Sequence, residues 1–232
     1  MDLVAAASEI QRFESGGLTS RISQLESAFQ RVTTGELKSR LEEVGVHDST
    51  LAASILLKQV AGQVNVLVHA LGILLCLPDL LEPDETVQYV SLGAGNTGRP
   101  FDLETDRRVA EFKFMNWRGA DTIRQNGLFK DLYLLEAAET PKRKQMFIVG
   151  DTLPLKFLQG SRALASVMSR NRKLGDTFAA RFGTQFATVA EYYVAHGHAV
   201  ELVDLDRLFP GRFTALEATI DATIDIDGAE SL

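Results

Sequence analysis

The sequence predicts an α/β protein with a mixed central sheet, and three observations lead to this fold class. Residues 51–77 form an apolar stretch with the length of a helix rather than a strand. Residues 101–106 and 109–114 alternate between apolar and polar side chains, which is the period of a strand. A helix candidate at residues 119–138 then precedes another apolar strand at residues 145–149. Helices and strands therefore alternate along the chain, as they do in α/β domains.

Further elements surround this core. In chain order they are helices at residues 5–13, 18–31 and 35–44, a strand at 86–92, helices at 154–169 and 176–196, and a strand at 199–205. We expect residues 1–50 to be an N-terminal helical decoration of the same domain and residues 51–213 to be the core with its helical additions. Residues 214–232 are acidic and rich in Ala and Thr, which predicts an acidic C-terminal tail that is partly ordered at best.

Two acids of the central hairpin are expected to face each other. If the turn is centred between Asp106 and Arg107, Asp102 lies opposite Glu111 on the same face. Directly opposed residues have Cβ atoms about 4.5–5.5 Å apart, and two carboxylates that close repel by roughly 3 kcal/mol at an effective dielectric near 20. Lys113, two residues beyond Glu111, projects on the same face. The sequence therefore predicts a cluster of two carboxylates and an amine.

A divalent cation would convert the repulsion between these acids into coordination. Mg²⁺ or Mn²⁺ suits a site of one or two carboxylates completed by water and a substrate phosphate. The predicted ligands are Asp102, Glu111 and a backbone carbonyl of Ala110 or Phe112, and Lys113 would neutralise charge that develops at phosphorus. The alternative interpretation is structural, since acids and lysines alternate with apolar residues on the solvated face of many hairpins.

Pro100-Phe101-Asp102 followed by Glu111-Phe112-Lys113 resembles the motif of the PD-(D/E)XK nuclease superfamily, also called restriction-endonuclease-like. The resemblance covers roughly residues 86–150. It implies an α-β-β-β-α-β core and hydrolysis of phosphodiester bonds by a metal-activated water, with DNA favoured over RNA as the substrate and a homodimer allowed. Two departures stand out: Phe101 separates the proline from the aspartate, and residues 51–77 contain no acid that would add an upstream metal ligand.

The helix after the third strand contributes secondary candidates. Some exonuclease-like members of the superfamily carry a Gln followed four residues later by Tyr, and here Gln125 is followed by Phe129. Gln125 is thus a predicted catalytic residue that positions substrate or water, or else a helix-surface glutamine. An aromatic ring that can stack on a base, together with cations that can bind phosphates, predicts a nucleic-acid-binding surface. Its candidates are Arg99, Trp117, Arg118, Arg124 and Lys130. Trp117 has an equally good interpretation as a core residue.

Charge and composition favour a reducing compartment and a phosphate-bearing partner. The chain has a net charge of −7, yet residues 99–181 contain 16 Lys or Arg against 10 Asp or Glu, so the basic excess coincides with the candidate site. Such a charged segment is otherwise a solvated face. The single cysteine, Cys76, cannot form an intrachain disulfide, and the residues after Met1 do not resemble a signal peptide. We therefore expect a cytoplasmic protein.

The helix at residues 51–77 combines an apolar run with a polar stripe. Residues 66–77 are strongly apolar but number only 12, short of the roughly 20 that cross a bilayer, which predicts a buried helix and no membrane. The stripe recurs at helical spacing and either faces solvent or lines the wall of the active site. Its members are Lys58, Gly62, Asn65 and His69.

Three other functions remain open from the sequence. Residues 93–98 read Gly-Ala-Gly-Asn-Thr-Gly, the spacing of an NAD-binding turn, but Pro100 and a period-two pattern follow where that motif needs a helix. A flexible glycine turn near the acids is the better interpretation. His196 and His198 form a pair that lacks a third zinc ligand at a recognisable spacing. A catalytically inactive nuclease-like fold that binds nucleic acid or a protein is the main alternative to an enzyme.

Overall fold

The computed structural model describes residues 1–14, 17–93, 100–114, 117 and 121–213. The predictions made for Arg99, Arg118, the glycine turn at residues 94–98 and the tail at 214–232 lie outside the described residues. The described helices are α1 Leu3–Glu14, α2 Leu18–Ala28, α3 Leu37–Glu43, α4 Asp48–Leu80, α5 Thr122–Ala137, α6 Thr152–Leu158, α7 Leu164–Met168, α8 Arg172–Phe182, α9 Val189–His196 and α10 Leu205–Leu208. The strands are β1 Val87–Val90, β2 Leu103–Thr105, β3 Arg108–Lys113, β4 Arg143–Ile148 and β5 Glu201–Asp204.

The five strands form one mixed sheet in the order β1-β2-β3-β4-β5, which confirms the predicted fold class at the level of a mixed α/β protein. Strands β1 to β3 are an antiparallel meander, while β4 runs parallel to β3 and β5 parallel to β4. Leu103 pairs with Ala110 and Glu104 with Val109, so the predicted hairpin register is confirmed for these two pairs. The regular ladder does not extend to Asp102 and Glu111, because the Asp102 N–H donates to the carbonyl of Ala110, the partner of Leu103. Strand β2 is shorter than the strand predicted at residues 101–106, since it begins at Leu103 and ends at Thr105. Asp102 therefore lies one residue before it.

Side-chain alternation along β3 builds one core on each face of the sheet. Ala110 and Phe112 face the side of α4, where Phe112 stacks on Phe147 with ring centroids 4.7 Å apart. Val109 belongs to the opposite core, which α5 and the helices that follow it complete, with Leu128 among its members. Each fully buried side chain of this size contributes about 1.5–3 kcal/mol. The end of β3 therefore lies between two helical layers.

The helix α4 extends over 33 residues and buries only one side. Ile73 and Cys76 are fully buried, and Gly72 permits close packing, since a Cβ there would lie 2.7 Å from the Phe114 ring. The prediction that residues 66–77 form a buried helix is wrong for one side of that segment, where apolar side chains are exposed. The exposed apolar side chains are Leu51, Ile55, Val64, Val66, Leu67, Leu71, Leu74 and Leu75. Among the described residues α4 is the one helix long and apolar enough to cross a membrane by length and composition alone.

The described residues divide into two compact units, residues 1–65 and residues 66–213, with the boundary inside α4. In the first unit the Thr50 hydroxyl donates a hydrogen bond to Glu9 Oε1 at 2.9 Å, which ties α1 to the start of α4. The second unit contains the whole sheet and every described candidate site residue.

Two predicted long helices are each divided in the structure. Residues 154–169 form α6 and α7, and residues 176–196 form α8 and α9. The predicted helix at residues 176–196 is divided at Gly183, which ends α8 with φ +57° and ψ −123°. Residues other than glycine rarely adopt this backbone conformation. The short helix α10 was missed by the sequence pattern, and Asp204 begins it by accepting the Asp206 N–H at 3.0 Å.

Candidate active site at the end of the hairpin

Asp102 is held just before strand β2 by backbone hydrogen bonds to β3. Its N–H donates to the Ala110 carbonyl at 3.1 Å, and its Oδ2 accepts the Phe112 N–H at 2.9 Å. The other oxygen, Oδ1, lies 3.2 Å from His69 Nε2 of α4. These contacts orient the carboxylate and leave it only 6% exposed. Asp102 therefore has a fixed position, with one oxygen on the backbone of β3 and the other facing an imidazole.

Glu111 and Lys113 form the second half of the site with an acid from α5. The Lys113 Nζ lies 2.7 Å from Glu111 Oε1 and 2.5 Å from Asp131 Oδ2. All three side chains are largely buried. Because Glu111 and Lys113 are two residues apart in β3, they project on the same face, and α5 packs against that face to bring in Asp131. The amine is thus fixed between two carboxylates from different elements.

The electrostatics show that the two halves form one cluster. Burial raises the pKa of Glu111 to about 7, helped by the charges of Asp131 and Asp102 and opposed by Lys113. The contact with Asp102 raises the pKa of His69 against the effect of burial, and the charge of Glu111 adds to it. The charges of Asp102 and Glu111 therefore act on each other, but Asp102 contacts His69 of α4 while Glu111 and Lys113 are joined to Asp131 of α5. That the carboxylates of Asp102 and Glu111 face each other stays a prediction.

The pairing of Lys113 has a clear electrostatic consequence. Burial acts to lower the pKa of its amine, but Asp131 and Glu111 outweigh burial, so the pKa is raised. Lys113 is therefore a permanent cation at neutral pH. A fixed cation of this kind stabilises negative charge on a bound group rather than acting as a proton acceptor.

The donor chemistry of the cluster fits a hard divalent cation. His69 Nε2 is buried and has no hydrogen-bond partner of good geometry, because its N–H direction is not aligned with the nearby Asp102 oxygen. The Lys113 carbonyl points toward β4, where it accepts the Val149 N–H at 3.2 Å. Because successive carbonyls of a strand point to opposite sides, the Phe112 carbonyl points toward β2 and Asp102. The Asp102 carboxylate, the His69 imidazole and the Phe112 carbonyl thus lie near the end of the hairpin, while the Glu111 carboxylate is paired with Lys113.

The side chains as they stand do not form a closed metal cage. Within the described parts of the chain, no three His, Cys, Asp or Glu side chains converge closely enough to hold an ion. The reason is visible at Glu111, whose carboxylate is turned toward Lys113. Binding a cation at Asp102 therefore requires Glu111 to exchange its partner, and Asp131 remains to neutralise Lys113 after that exchange.

The other predicted residues occupy different surroundings. The Gln125 carbonyl accepts a hydrogen bond from the Arg162 guanidinium rather than contacting the cluster, so its catalytic role stays a prediction. Arg124 pairs with Asp121 at 2.9 Å, and Lys130 lies 3.4 Å from Asp131. The interpretation of Trp117 as a core residue is supported, since it is 9% exposed and packs near Phe157 with ring centroids 6.0 Å apart.

His69 and Asp131 are the functional candidates that sequence reasoning missed or left undecided. The polar stripe on α4 pointed to His69 as an active-site wall residue or a solvated one, and its contact with Asp102 supports the first reading. Asp131 is an acid that lies between buried Leu128 and Leu132 on α5. The position of Asp131 beside the apolar face of the predicted helix could have indicated that it has a cationic partner, because a half-buried charge needs one.

A second buried ion pair in the same sheet is structural. Arg108 is 3% exposed and donates to both Glu85 oxygens and to Gln145 Oε1 at 3.0 Å. Burial acts to raise the pKa of Glu85, but the hydrogen bonds from Arg108 and Thr105 outweigh it and lower the pKa to about 2. These partners satisfy one another, so this pair has no excess charge to offer a ligand.

No protein-family model, curated protein or solved structure matches this chain. The fold and the site thus stand as a mixed α/β architecture with largely buried carboxylate, imidazole and lysine side chains at the end of its β2–β3 hairpin.

Proposed function

We propose that this chain is a nuclease that uses Mg²⁺ or Mn²⁺ to hydrolyse phosphodiester bonds of nucleic acid, with DNA favoured over RNA. The observation that supports the proposal is that Asp102, Glu111 and Lys113 belong to one electrostatic cluster at the end of a hairpin with the expected register. The order of elements gives further support, since α4, the β1–β3 meander, α5 and parallel β4 follow the α-β-β-β-α-β order of PD-(D/E)XK nucleases.

The residues divide the chemistry among them. A bound divalent cation supplies Lewis-acid activation of water and neutralises the phosphate. Asp102 and Glu111 would hold that cation, with His69 and the Phe112 carbonyl as further donors. Lys113 places a permanent positive charge beside the phosphate, where negative charge develops during the attack. Asp131 is a positioning residue, because it holds the Lys113 amine when Glu111 turns to the cation.

The alternative is a nuclease-like fold that binds nucleic acid or a protein without cleaving it. The observation in its favour is the closed pairing of Glu111 with Lys113, which leaves each charge satisfied without a metal. Titration with Mn²⁺ separates the two functions. A nuclease binds Mn²⁺ at a site that Glu111→Gln removes, whereas a binding module with degenerate chemistry shows no such site.

Cleavage of labelled nucleic acids tests the proposal directly. Single-stranded DNA, duplex DNA and RNA are incubated with the wild-type protein, Asp102→Asn and Lys113→Met, in Mn²⁺ or in EDTA. We expect cleavage only with metal, and a loss of about a hundredfold or more in both variants. The matched control is Lys142→Met. The Lys142 amine lies 2.5 Å from Glu104 Oε1 and is not part of the cluster. Wild-type rates in Asp102→Asn or Lys113→Met would contradict the proposal.

A further inference from the structure

A cavity of about 210 Å³ opens beside the candidate site, and Lys113 belongs to both. It lies at the carboxyl ends of the parallel strands β3 and β4, which is where α/β sheets commonly bind ligands. Its lining is mostly apolar and comprises Lys113, Trp117, Ile123, Arg124, Gly127, Leu128, Ile148, Val149 and Pro154. Sites for drug-sized molecules have volumes of about 300–1,000 Å³, so this cavity suits a single small ring system.

Gly127 suggests that the open space is kept for a ligand. It lies in the interior of α5, where glycine costs roughly 0.5–1 kcal/mol relative to alanine. A Cβ built on Gly127 meets no other atom of the described residues within 4 Å, so their packing does not require a glycine at this position. The backbone conformation does not require it either, because the residue is helical. A side chain here would instead project toward the space that the cavity occupies.

The two cations of the cavity indicate what kind of ligand fits. Lys113 and Arg124 are its charged lining residues among the described positions, while its walls include the buried Trp117 and Leu128. Both cations already have acidic partners, so a phosphate would share Lys113 with Asp131 and Arg124 with Asp121. A flat apolar group that carries a negative charge at one end matches this arrangement. A nucleotide has this chemistry, because its base stacks on apolar or aromatic walls and its phosphate contacts cations. A base inside a duplex is paired along one edge and stacked on both faces, so it cannot enter.

We propose that this cavity binds one unpaired nucleobase of a single-stranded substrate, with the adjacent phosphate directed toward Lys113. The inference rests on the proposed function, since it places a base beside the phosphate that the cluster would cleave. It assigns a substrate class, single-stranded nucleic acid or a frayed end, and it assigns Gly127 the role of keeping the base subsite open.

Fluorescence of Trp117 reports on this cavity directly, because Trp117 is the single tryptophan of the chain. The full-length protein in EDTA is titrated with a short single-stranded oligothymidylate, with an abasic oligomer of the same length, and with a blunt duplex. We expect the oligothymidylate to shift Trp117 emission and to bind at least about fivefold more tightly than the abasic oligomer, as one stacked base predicts. Equal affinity of the oligothymidylate and the abasic oligomer for the wild-type protein would overturn the inference.

Gly127→Leu fills the proposed subsite, and Gly62→Leu is its matched control. Gly62 is also a helical glycine with no atom within 4 Å of a built Cβ, but it is not part of the cavity lining. We expect Gly127→Leu to abolish the preference for the oligothymidylate over the abasic oligomer while Gly62→Leu retains it. Retention of that preference in a folded Gly127→Leu protein would overturn the inference.

The two proposals fail in different ways. Base-dependent binding in EDTA without any metal-dependent cleavage would refute the nuclease and leave the base subsite standing. Metal-dependent cleavage by a wild-type protein that prefers duplex over single-stranded DNA, with unchanged Trp117 emission, would refute the base subsite and leave the nuclease standing.

Discussion

Replacement of Glu111 by glutamine is expected to stabilise the metal-free protein at pH 8. The Glu111 carboxyl is largely buried, and the negative charges of Asp131 and Asp102 lie close to it. Glutamine has nearly the same shape and carries no charge, so it removes the cost of ionising a carboxyl in these surroundings. A carboxylate whose ion pair with Lys113 stabilised the fold would instead lose stability on this replacement.

The magnitude follows from the pKa of Glu111, which burial and neighbouring acids raise from its ordinary value of 4.5 to about 7. The folded protein therefore holds a proton that the unfolded chain releases. The stability that this proton provides is fully present below pH 4.5 and is lost as the pH rises to about 7, at about 1.4 kcal/mol per pH unit. The total is on the order of 3 kcal/mol, which sets the upper limit of the gain expected from Glu111→Gln at pH 8.

Urea unfolding at pH 5 and at pH 8, without metal, measures this effect. We expect Glu111→Gln to exceed the wild type by about 2–3 kcal/mol at pH 8 and by much less at pH 5. Mg²⁺ should stabilise the wild type at pH 8 and have little effect on Glu111→Gln. Glu139→Gln is the control, because Glu139 is exposed and its loss should change stability by less than about 0.5 kcal/mol. A wild type that is more stable than Glu111→Gln at pH 8 would refute the reasoning.

Three further predictions concern other parts of the second unit. Glu85→Gln should destabilise the protein by about 3 kcal/mol at pH 7, because it leaves Arg108 buried without its counter-ion. Since the pKa of Glu85 is lowered to about 2, this difference in urea unfolding should persist above pH 4.5 and shrink as the pH falls toward 2, and a pH-independent difference would count against it. His69→Ala should weaken Mn²⁺ binding in calorimetry by about tenfold or more, whereas an unchanged affinity would remove His69 from the ligand set. Gly183→Ala should lower the unfolding free energy by about 1–3 kcal/mol through backbone strain, while Gly175→Ala inside α8 should not.

Local patterns in the sequence predict the hairpin and half of the site. Period-two alternation determines which residues of β2 and β3 share a face, and a centred polar turn determines the register that pairs Leu103 with Ala110. Extension of that register predicts that Asp102 lies opposite Glu111, but the paired residues of β2 end at Leu103, one residue after Asp102. Such contacts are readable because they join residues fewer than ten positions apart.

The remaining contacts depend on how distant helices pack, which no local pattern records. His69 contacts Asp102 only because α4 packs on one face of the sheet. Asp131 contacts Lys113 only because α5 packs on the other face, over β3. The apolar run at residues 66–77 predicted a buried helix, but only one side of it is buried, at Ile73 and Cys76. The helical spacing of apolar residues continues through Gly183, so the sequence did not predict the positive φ of this residue.

Anomalous diffraction from a crystal soaked in Mn²⁺ tests the central geometry of the site most directly. The account predicts a single strong peak within about 2.1 Å of oxygens from both Asp102 and Glu111, with the contact between Glu111 and Lys113 broken and Lys113 still paired with Asp131. The same soak of Glu111→Gln should show no peak at this position. A Glu111 carboxylate that remains on Lys113 while Mn²⁺ binds elsewhere, or nowhere, would contradict the account.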